Sequence, residues 1–323
     1  MKKLQNTHIF ILSIVFLCVV TIAALFVGKM TKNKTSNDSS YTELLTDTIT
    51  KIVSEYPAEI GVAVIVNNAD TVAVNNENKY PMMSVFKVHQ TLAICSDFDK
   101  KGVSLDSLMT IHRNSLDDKT WSPMLKDHTE AVFALPVSDL LRYTLTQSDN
   151  NASNLMFKKL VNVARTDSFI ATIVPPSCFN ITYTEEEMSA DHDRAYANST
   201  SPLGAAMLMN RLFTDSILSV DKQNFVMQTL KECKTGIDRI AAPLLEEKGV
   251  VIAHKTGSGY TNEDGVLAAH NDVAYITLPD GTCYSLAIFV KDFKGNEIQA
   301  AAAIARISGA VYSVIKQQDR DSR

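Results

Sequence analysis

The chain has 323 residues, a formal net charge of −5 at neutral pH, and a composition that is 46% apolar and 21% charged. These values are ordinary for a globular protein of one or two domains whose core needs no metal or disulfide, and they exclude collagen-like, low-complexity and cysteine-scaffold proteins. Residues 1–30 contain three lysines and no acid, so the remainder is more acidic than the whole. This predicts no nucleic-acid partner, because such binding needs clustered lysine and arginine. Small molecules are the expected ligands.

The N-terminus has the pattern of an export signal. Lys2 and Lys3 precede an apolar run over residues 9–27. A charged segment followed by an apolar one is typical of a signal peptide, and this run is also long enough to span most of a bilayer as a helix. Residues 1–30 are therefore either a cleaved signal peptide or a retained signal-anchor. Both predict a periplasmic or otherwise exported protein that meets a membrane only through this segment.

The predicted elements after this segment change from strands to helices and back. Residues 31–40 are predicted to be a polar linker, apolar residues from Leu44 to Val53 recur at helical spacing, and segments 60–66 and 71–74 predict a β-hairpin. The predicted central helices are Val85–Asp97, Ser138–Thr146, Asn151–Val163, Pro202–Phe213 and Asp221–Glu232. The predicted late elements are strands Val250–His254, Val273–Leu278 and Tyr284–Val290, and helix Ala300–Ile315.

This order predicts an α/β (α+β) fold: an antiparallel sheet built from both chain ends, with flanking helices and a separate all-helical lobe. We expect one catalytic unit over residues 41–316. Its α/β lobe would take residues 41–83 and 235–316, its helical lobe residues 84–234, and residues 317–323 would form a polar tail. The cleft between two such lobes is a common place for a ligand site.

Four cysteines follow the N-terminal segment, at positions 95, 178, 233 and 283. Export permits disulfides, and four cysteines allow three pairings, but a core of this size needs no cross-link and favours buried free thiols. The seven histidines show no metal-ligand spacing. The sequence therefore predicts no metal and no other cofactor.

Ser84 and Lys87 lie three residues apart at the start of a predicted apolar helix. Lys87 then falls on the face that carries Ser84 and can act as its base, while the helix N-terminus favours negative charge. The alternative is a helix-capping serine beside a solvated lysine. The spacing alone is a weak signal, because Ser313 and Lys316 repeat it inside the last predicted helix.

Ser148, Asp149 and Asn150 follow the helix that is predicted to begin at Ser138. One interpretation is a loop in which Asn150 or Asn151 caps the next helix. The other is a site where a hydroxyl passes a proton and an amide holds a substrate amide.

Lys-Thr-Gly occurs twice, at residues 234–236 and 255–257. The first copy follows a predicted helix, where a lysine in the last turn and a glycine after it are the usual stop signal. The second copy continues the predicted strand Val250–His254, and Gly257 there lets a ligand approach the strand closely. We predict that the second copy is functional.

The ordered set Ser84-x-x-Lys87, Ser148-Asp149-Asn150 and Lys255-Thr256-Gly257 resembles the three motifs of class A serine β-lactamases and their penicillin-binding relatives. The resemblance covers roughly residues 44–315. Residues 82–90 and 146–156 are similar to the CfxA-type branch of that family.

The resemblance implies hydrolysis of β-lactam antibiotics through a serine acyl-enzyme, and hence antibiotic resistance, by a monomer. The CfxA-type resemblance implies cephalosporins over carbapenems. One local feature agrees, since class A carbapenemases commonly join by a disulfide two positions that are Met83 and Gly259 here. Two alternatives stay open: a penicillin-binding DD-peptidase or transpeptidase, and a membrane-anchored β-lactam sensor. Both lack a dedicated deacylating carboxylate.

The resemblance also implies the role of individual residues. Its catalytic roles fall on Ser84 as nucleophile, Lys87 as its base, Ser148 as proton donor to the lactam nitrogen, and Lys255 as a source of positive potential. The backbone N–H groups of Ser84 and Ser258 match the oxyanion hole. Its substrate-binding roles fall on Asn150 for the side-chain amide, on Thr256, Ser258 and Arg239 for the carboxylate, on Gly257 beside the strand, and on Trp121 at the cleft rim. A packing aromatic and a surface ion pair are the alternatives for Trp121 and Arg239.

The deacylating glutamate is expected within residues 175–200, which show no sustained periodicity. Matching this segment to the family loop favours Glu185 within the acidic run 185–187, for which the alternative is a solvated acidic surface. Tyr183 and Asn198 stand where many family members have an arginine and an aspartate that pair across the loop. The conformation of the segment is therefore open.

Overall fold

The strands of the main sheet come from the early and late parts of the folded chain, and most of the helices lie between them in sequence. A computed structural model describes residues 41–321, with side chains as far as residue 318. The helices are α1 (residues 41–53), α2 (Phe86–Lys101), α3 (Pro123–Asp127), α4 (Val137–Thr146), α5 (Asn150–Lys159), α6 (Val163–Ile170), α7 (Glu185–Ala190), α8 (His192–Ala197), α9 (Pro202–Thr214), α10 (Val220–Lys231) and α11 (Glu297–Asp321). The strands are β1 (Glu59–Val66), β2 (Asp70–Val74), β3 (Tyr80–Pro81), β4 (Leu108–His112), β5 (Val132–Pro136), β6 (Phe179–Asn180), β7 (Ser199–Thr200), β8 (Val251–Ser258), β9 (Leu267–Thr277) and β10 (Cys283–Phe293).

The main sheet is antiparallel and has the strand order β2-β1-β10-β9-β8. Its N-terminal hairpin turns at Asn67 and Asn68, whose positive φ angles of 51° and 55° suit the tight turn that such a hairpin requires. β1 then pairs with the C-terminal strand β10. The predicted fold class is confirmed, because the sheet combines strands from both ends of the chain and helices flank it.

The last helix, α11, packs on β9 and β10. Its buried side chains include Ile304, Ile307 and Val311, which recur at helical spacing on one face. Residues 297–318 are long and apolar enough to span a membrane, but half of that window is buried in the protein. This composition is therefore that of a core helix, and the tail predicted over 317–323 continues the helix to Asp321.

The edge strand β8 lies against the turn that precedes α2. A side chain at Gly257 would bring its Cβ atom to 2.3 Å from the Met82 carbonyl oxygen, so only glycine permits this approach. The Asn271 side-chain amide, from β9, donates to the Pro81 carbonyl at 2.8 Å and ties the same turn to the sheet. The nucleophile candidate is thus held against the Lys-Thr-Gly strand.

Two segments differ from the sequence prediction. The helix predicted over Asn151–Val163 ends at Lys159, and α6 begins after Asn162, whose side chain accepts from the Arg165 N–H and caps a separate helix. Residues 175–200, which show no periodicity, contain the short helices α7 and α8. Six-residue helices are too short to produce a readable repeat.

Among the described residues, 46–321 form one unit, and residues 41–45 fall outside it. The predicted signal segment and linker lie outside the described residues, and the lobe boundaries stay predictions. The four cysteines within the described chain are free, as expected, but only Cys95 is buried; the other three are partly exposed.

Candidate active site

Ser84 lies in a short 3-10 turn, Met83–Val85, directly before α2. Its hydroxyl donates to Glu185 Oε1 at 2.9 Å and accepts from Lys87 Nζ at 3.0 Å. The Lys87 and Glu185 side chains also form an ion pair of 2.8 Å, and Lys87 is fully buried. The Ser84-x-x-Lys87 motif and the predicted deacylating glutamate, Glu185, therefore meet at one hydroxyl.

Ser148 and Asn150 face the same lysine from the segment between α4 and α5. Lys87 Nζ donates to Asn150 Oδ1 at 2.6 Å, to the Ser148 carbonyl at 2.9 Å and to Ser148 Oγ at 3.4 Å. Ser148 has a φ of 60°, a conformation that is rare outside glycine and is often found at functional sites. The Asn150 side-chain N–H donates to Thr120 Oγ1 at 2.9 Å.

The cap of α5 is Asp149, so the prediction of Asn150 or Asn151 is wrong. The Asp149 carboxylate accepts from the Ala152 and Met124 N–H groups at 2.9 and 2.7 Å and from the Ser122 hydroxyl. A charged acceptor at this position binds more helix N–H groups than an amide does, which leaves the Asn150 side chain free to point at Lys87.

Lys255 joins the cluster from β8. Its ammonium group is fully buried and donates to Ser148 Oγ at 3.1 Å and to the Thr256 carbonyl at 2.8 Å. Thr256, Gly257 and Ser258 follow it along the strand, so the second Lys-Thr-Gly copy lies at the cluster.

Arg239 is only 6% exposed and lies behind the end of β8. Its guanidinium donates to Ser258 Oγ at 2.6 Å, to the Asn271 carbonyl at 2.6 Å and to the Gly257 carbonyl at 3.3 Å. A surface ion pair is therefore wrong for this residue. The positive charge of the guanidinium therefore lies next to the Ser258 hydroxyl.

Trp121 is 55% exposed, so it is not a packing aromatic. Its indole N–H donates to the Gln147 carbonyl at 2.8 Å, and its own carbonyl accepts from the Asn150 N–H at 3.0 Å. The Lys126 ammonium lies 5.0 Å from the ring centroid. The ring thus stands at the surface beside the segment that carries Ser148 and Asn150.

The first Lys-Thr-Gly copy lies in the loop after α10, beyond the last helical turn, because the helix ends at Lys231. Lys234 is exposed and is not part of the cluster. Thr235 was not expected to contact the site, yet its Oγ1 lies 2.6 Å from Thr256 Oγ1. The other S-x-x-K serine, Ser313, lies on α11 and donates to the Gly309 carbonyl.

The loop that carries Glu185 is held by Asn198, which is fully buried. The Asn198 side chain accepts from the Thr182 and Tyr183 N–H groups at 2.8 and 2.9 Å and donates to the Tyr183 carbonyl at 2.7 Å. An amide thus ties the two ends of the loop together where many relatives use an arginine–aspartate pair. Glu185 begins α7, and Glu187 completes a capping box with Thr184.

Comparison with known proteins assigns the family. A model of the β-lactamase enzyme family matches residues 44–315. A β-lactamase of Phocaeicola vulgatus is 65% identical over 318 residues, which are 98% of each chain. The chain belongs to the β-lactamase enzyme family.

Solved structures agree with this membership. The TLA-3 extended-spectrum β-lactamase is 32% identical, with a TM-score of 0.81 over 85% of this chain and 99% of that one. A class A β-lactamase from Bacteroides cellulosilyticus is 27% identical, with a TM-score of 0.80 over 86% of this chain and 99% of that one. The enzyme is a class A β-lactamase, and its reaction is hydrolysis of the β-lactam ring, which confers resistance to these antibiotics.

Burial dominates the electrostatics of this β-lactamase site. Burial and the nearby charge of Lys87 lower the pKa of Lys255 to about 7, although Cys233 and Glu185 act in the opposite direction. Burial also raises the pKa of Asp149, while its hydrogen bonds from Ala152, Met124 and Ser122 lower it. Within the described part of the chain, no three His, Cys, Asp or Glu side chains are grouped so that they could hold a metal ion.

Proposed function

We propose that this β-lactamase acts through an acyl-enzyme on Ser84, which a water activated by Glu185 then hydrolyses. The proposal is carried by the Ser84 hydroxyl, which is hydrogen-bonded to Lys87 Nζ at 3.0 Å and to Glu185 Oε1 at 2.9 Å. A hydroxyl in contact with both an amine and a carboxylate has the partners that an activated nucleophile needs.

The acylation step uses Lys87 as the immediate base. The Lys87 ammonium can pass a proton to Glu185 across 2.8 Å, and the neutral amine then accepts the Ser84 proton. The Ser84 oxygen bonds to the lactam carbonyl carbon, the carbon–nitrogen bond breaks, and the nitrogen takes the Ser148 hydroxyl proton. Lys255 Nζ, which donates to Ser148 Oγ at 3.1 Å, favours the charge that forms there. Lys87, whose Nζ lies 3.4 Å from Ser148 Oγ, passes the Ser84 proton on to the Ser148 oxygen, and Glu185 returns its proton to the Lys87 amine. Glu185 is then a carboxylate again before deacylation.

The oxyanion hole would consist of the backbone N–H groups of Ser84 and Ser258. They belong to the turn before α2 and to the end of β8, which Gly257 allows to pack closely. Fixed N–H donors in a buried site stabilise a developing oxyanion with little reorganisation.

Deacylation would use Glu185 as general base. Its carboxylate is already within hydrogen-bond reach of Ser84 Oγ, so a water that replaces the hydroxyl contact can lose its proton to Glu185 while it attacks the ester. This position supports hydrolysis over the DD-peptidase, transpeptidase and sensor alternatives, since those proteins have no dedicated deacylating carboxylate.

Substrate recognition would involve three features of the site. Arg239, through Ser258, supplies positive charge for the carboxylate common to β-lactams, with Thr256 beside it. Asn150 presents an amide for the side chain of the drug. Trp121 forms an exposed wall. Gly257 acts indirectly, because its missing side chain lets β8 pack against the turn that carries Ser84.

The proposal includes a preference for cephalosporins, export, and a monomeric state. The preference is supported by the likeness to an extended-spectrum β-lactamase. It is also supported by Met83 and Gly259, which take the place of the disulfide that class A carbapenemases commonly carry. Export rests on the residue pattern of positions 1–30.

The test is turnover of a chromogenic cephalosporin by the full chain. We expect continuous hydrolysis, loss of turnover in Ser84→Ala, and no change in Ser313→Ala, whose serine lies on α11. Mass spectrometry with a slowly hydrolysed β-lactam should place the acyl adduct on Ser84. A single stoichiometric burst, or an adduct on another serine, would contradict the proposal.

A further inference from the structure

Asp272 lies on β9 opposite Thr256 of the Lys-Thr-Gly strand, and its side chain is fully buried. Its Oδ1 lies 3.0 Å from Nδ1 of His254, which is on β8, and its Oδ2 accepts from the Ile240 backbone N–H at 3.1 Å. Ile240 directly follows Arg239 in the segment between α10 and β8. One buried carboxylate therefore joins this segment to two strands of the main sheet, and the proposed mechanism does not use it.

The backbone of Ile240 is also held from its other side. Ser308, on α11, is fully buried, and its hydroxyl donates to the Ile240 carbonyl at 2.8 Å. Residues 232–241 lie in neither a helix nor a strand, so their backbone has no ladder of regular hydrogen bonds. The bonds from Asp272 and Ser308 hold the segment in place there.

Arg239 reaches from this segment to the end of β8. The Ile240 N–H belongs to the planar peptide unit that includes the Arg239 Cα atom, so the bond to Asp272 also places Arg239. The guanidinium donates to Ser258 Oγ and to the carbonyls of Gly257 and Asn271. All three acceptors are uncharged, so its positive charge stays available to a substrate carboxylate.

Asp272 also balances the positive charges buried beside it. Burial lowers the pKa of Arg239, and the Asp272 carboxylate is the strongest influence in the opposite direction. Burial lowers the pKa of His254 as well, but Asp272, together with Cys233, outweighs this effect and raises it to about 10. Loss of the carboxylate would leave the cations of His254 and Arg239 buried without it, which disfavours the observed position of the guanidinium.

We propose that Asp272 and Ser308 are positioning residues for recognition of the β-lactam carboxylate: they hold the backbone of Ile240 and thereby place the Arg239 guanidinium beside Ser258. Both side chains are fully buried, so they act through Arg239 and not by contact with the drug. Their loss should affect the binding of the carboxylate more than the chemistry at Ser84. The inference rests on the proposed role of Arg239 in substrate recognition.

The experiment compares a chromogenic cephalosporin with its methyl ester, in which the ring carboxylate is uncharged. The carboxylate preference is the ratio of kcat/KM for the acid to kcat/KM for the ester. Asp272→Asn keeps the size of the side chain and removes its charge. It should lower this preference about fivefold or more, mainly through KM for the acid, because Arg239 contacts a group that does not react. A purely structural defect would slow both substrates alike, and an unchanged preference in folded Asp272→Asn overturns the proposal.

Ser308→Ala is a milder second variant, because it removes one neutral hydrogen bond and no charge. It should lower the carboxylate preference about threefold, which is the effect expected of one such bond. Urea unfolding shows whether each variant is folded. An unchanged preference in Ser308→Ala overturns the proposal even if Asp272→Asn does not fold.

A double variant tests whether the effect passes through Arg239. Arg239→Ala should lower the carboxylate preference about tenfold or more, as the loss of a charged hydrogen bond does. Adding Asp272→Asn to Arg239→Ala should lower it no further, because both changes act on the same guanidinium. A further decrease in the double variant would show that Asp272 acts independently of Arg239 and would overturn the proposal.

Asp97→Asn is the matched control. Asp97 is also a buried carboxylate, but it lies on α2, where it pairs with Lys101 at 2.7 Å and with Arg165. This variant should keep the carboxylate preference of the unaltered chain, and a decrease as large as that of Asp272→Asn would contradict the proposal. Turnover by Ser84→Ala would overturn the proposed function instead and leave these ratios as they are. An unchanged preference in Arg239→Ala would overturn the carboxylate role of Arg239, and this inference with it.

Discussion

Glu185 is the residue whose assignment depends most on three-dimensional structure, because Glu185, Glu186 and Glu187 are chemically identical neighbours. Glu185 begins α7 and reaches Ser84. The Glu186 backbone N–H is bonded to Asn154 Oδ1, and the Glu187 carboxylate accepts from the Thr184 N–H in the capping box. Helical spacing of 100° per residue turns the three side chains in different directions, so only one meets the nucleophile.

Glu185→Gln should slow acylation, because it removes the carboxylate that takes the Lys87 proton, and should block deacylation, because the amide keeps the shape of the side chain and cannot accept the proton of water. A chromogenic cephalosporin should give a burst of one equivalent, followed by a lasting adduct on Ser84 in the mass spectrum. Glu186→Gln and Glu187→Gln are the controls and should turn over nearly normally. An adduct trapped by either control instead would contradict the loop register seen here.

Lys255 and Lys234 occupy the same position in two identical Lys-Thr-Gly sequences, but Lys255 is buried and Lys234 is exposed. Lys255→Ala should lower kcat/KM by orders of magnitude, since one electrostatic contact in such a site is worth about 2–4 kcal/mol. Burial holds the pKa of Lys255 at about 7, so the ammonium is lost above this pH and kcat/KM should fall there. Lys255→Arg keeps its charge and should lose this alkaline decline. Lys234→Ala should keep the wild-type pH profile, and a matching loss of activity in this variant would refute the distinction.

At the scale of elements, two short segments of the site are held in place by buried polar side chains. Hydrophobic periodicity in the sequence does not predict these contacts. Asp149 caps α5 and fixes the segment of Ser148 and Asn150, while Asn198 closes the loop of residues 182–198. Both side chains are fully buried and have every oxygen in use. The sequence placed the cap of α5 one or two residues too late, at Asn150 or Asn151, and the loop closure depends on residues about fifteen positions apart.

Asn198→Ala should lower the free energy of unfolding by about 2–3 kcal/mol, because it removes three hydrogen bonds to the backbone of residues 182 and 183, each with a net contribution of about 1 kcal/mol. It should also slow deacylation more than acylation, since the loop carries Glu185. Urea unfolding and burst kinetics measure the two effects. Asn180→Ala, at an exposed position on β6 just before this loop, should cost less than about 1 kcal/mol. Equal stability of the two variants would rule out Asn198 as the residue that closes the loop.

At the scale of the whole molecule, the site exists because a sheet edge and a helix start pack together. Gly257 on β8 meets the Met82 carbonyl, and Asn271 on β9 donates to the carbonyls of Pro81 and Met82. These contacts join positions nearly two hundred residues apart. They bring Lys255 to the Ser148 hydroxyl.

Gly257→Ala should push β8 away from the turn before α2. The new Cβ atom would lie 2.3 Å from the Met82 carbonyl oxygen, and a backbone oxygen cannot move aside as the end of a flexible side chain can. Overpacking of this kind costs about 1–3 kcal/mol, and a shift of about 1 Å between reacting groups can cost a hundredfold in rate. Urea unfolding and kcat/KM test both effects. Gly309→Ala, whose Cβ would meet only Pro243 side-chain carbons at 3.3 Å, should keep its activity. Normal kcat/KM in Gly257→Ala would show that the close approach is not required.

The sequence by itself determined the order of strands and helices, because hydrophobic periodicity is a local property that each element of sufficient length displays. It also determined the motif residues Ser84, Lys87 and Asn150, which stand at recognisable spacings. Three features could be known only from the tertiary structure. They are the contact of Thr235 with Thr256, the hydrogen bonds of Asn198 in place of an ion pair, and the burial of Arg239. These contacts join residues from separate elements, and the packing that brings them together has no local signature in the chain. The short helices α7 and α8 belong with them, since their conformation depends on caps and tertiary hydrogen bonds rather than on an apolar repeat.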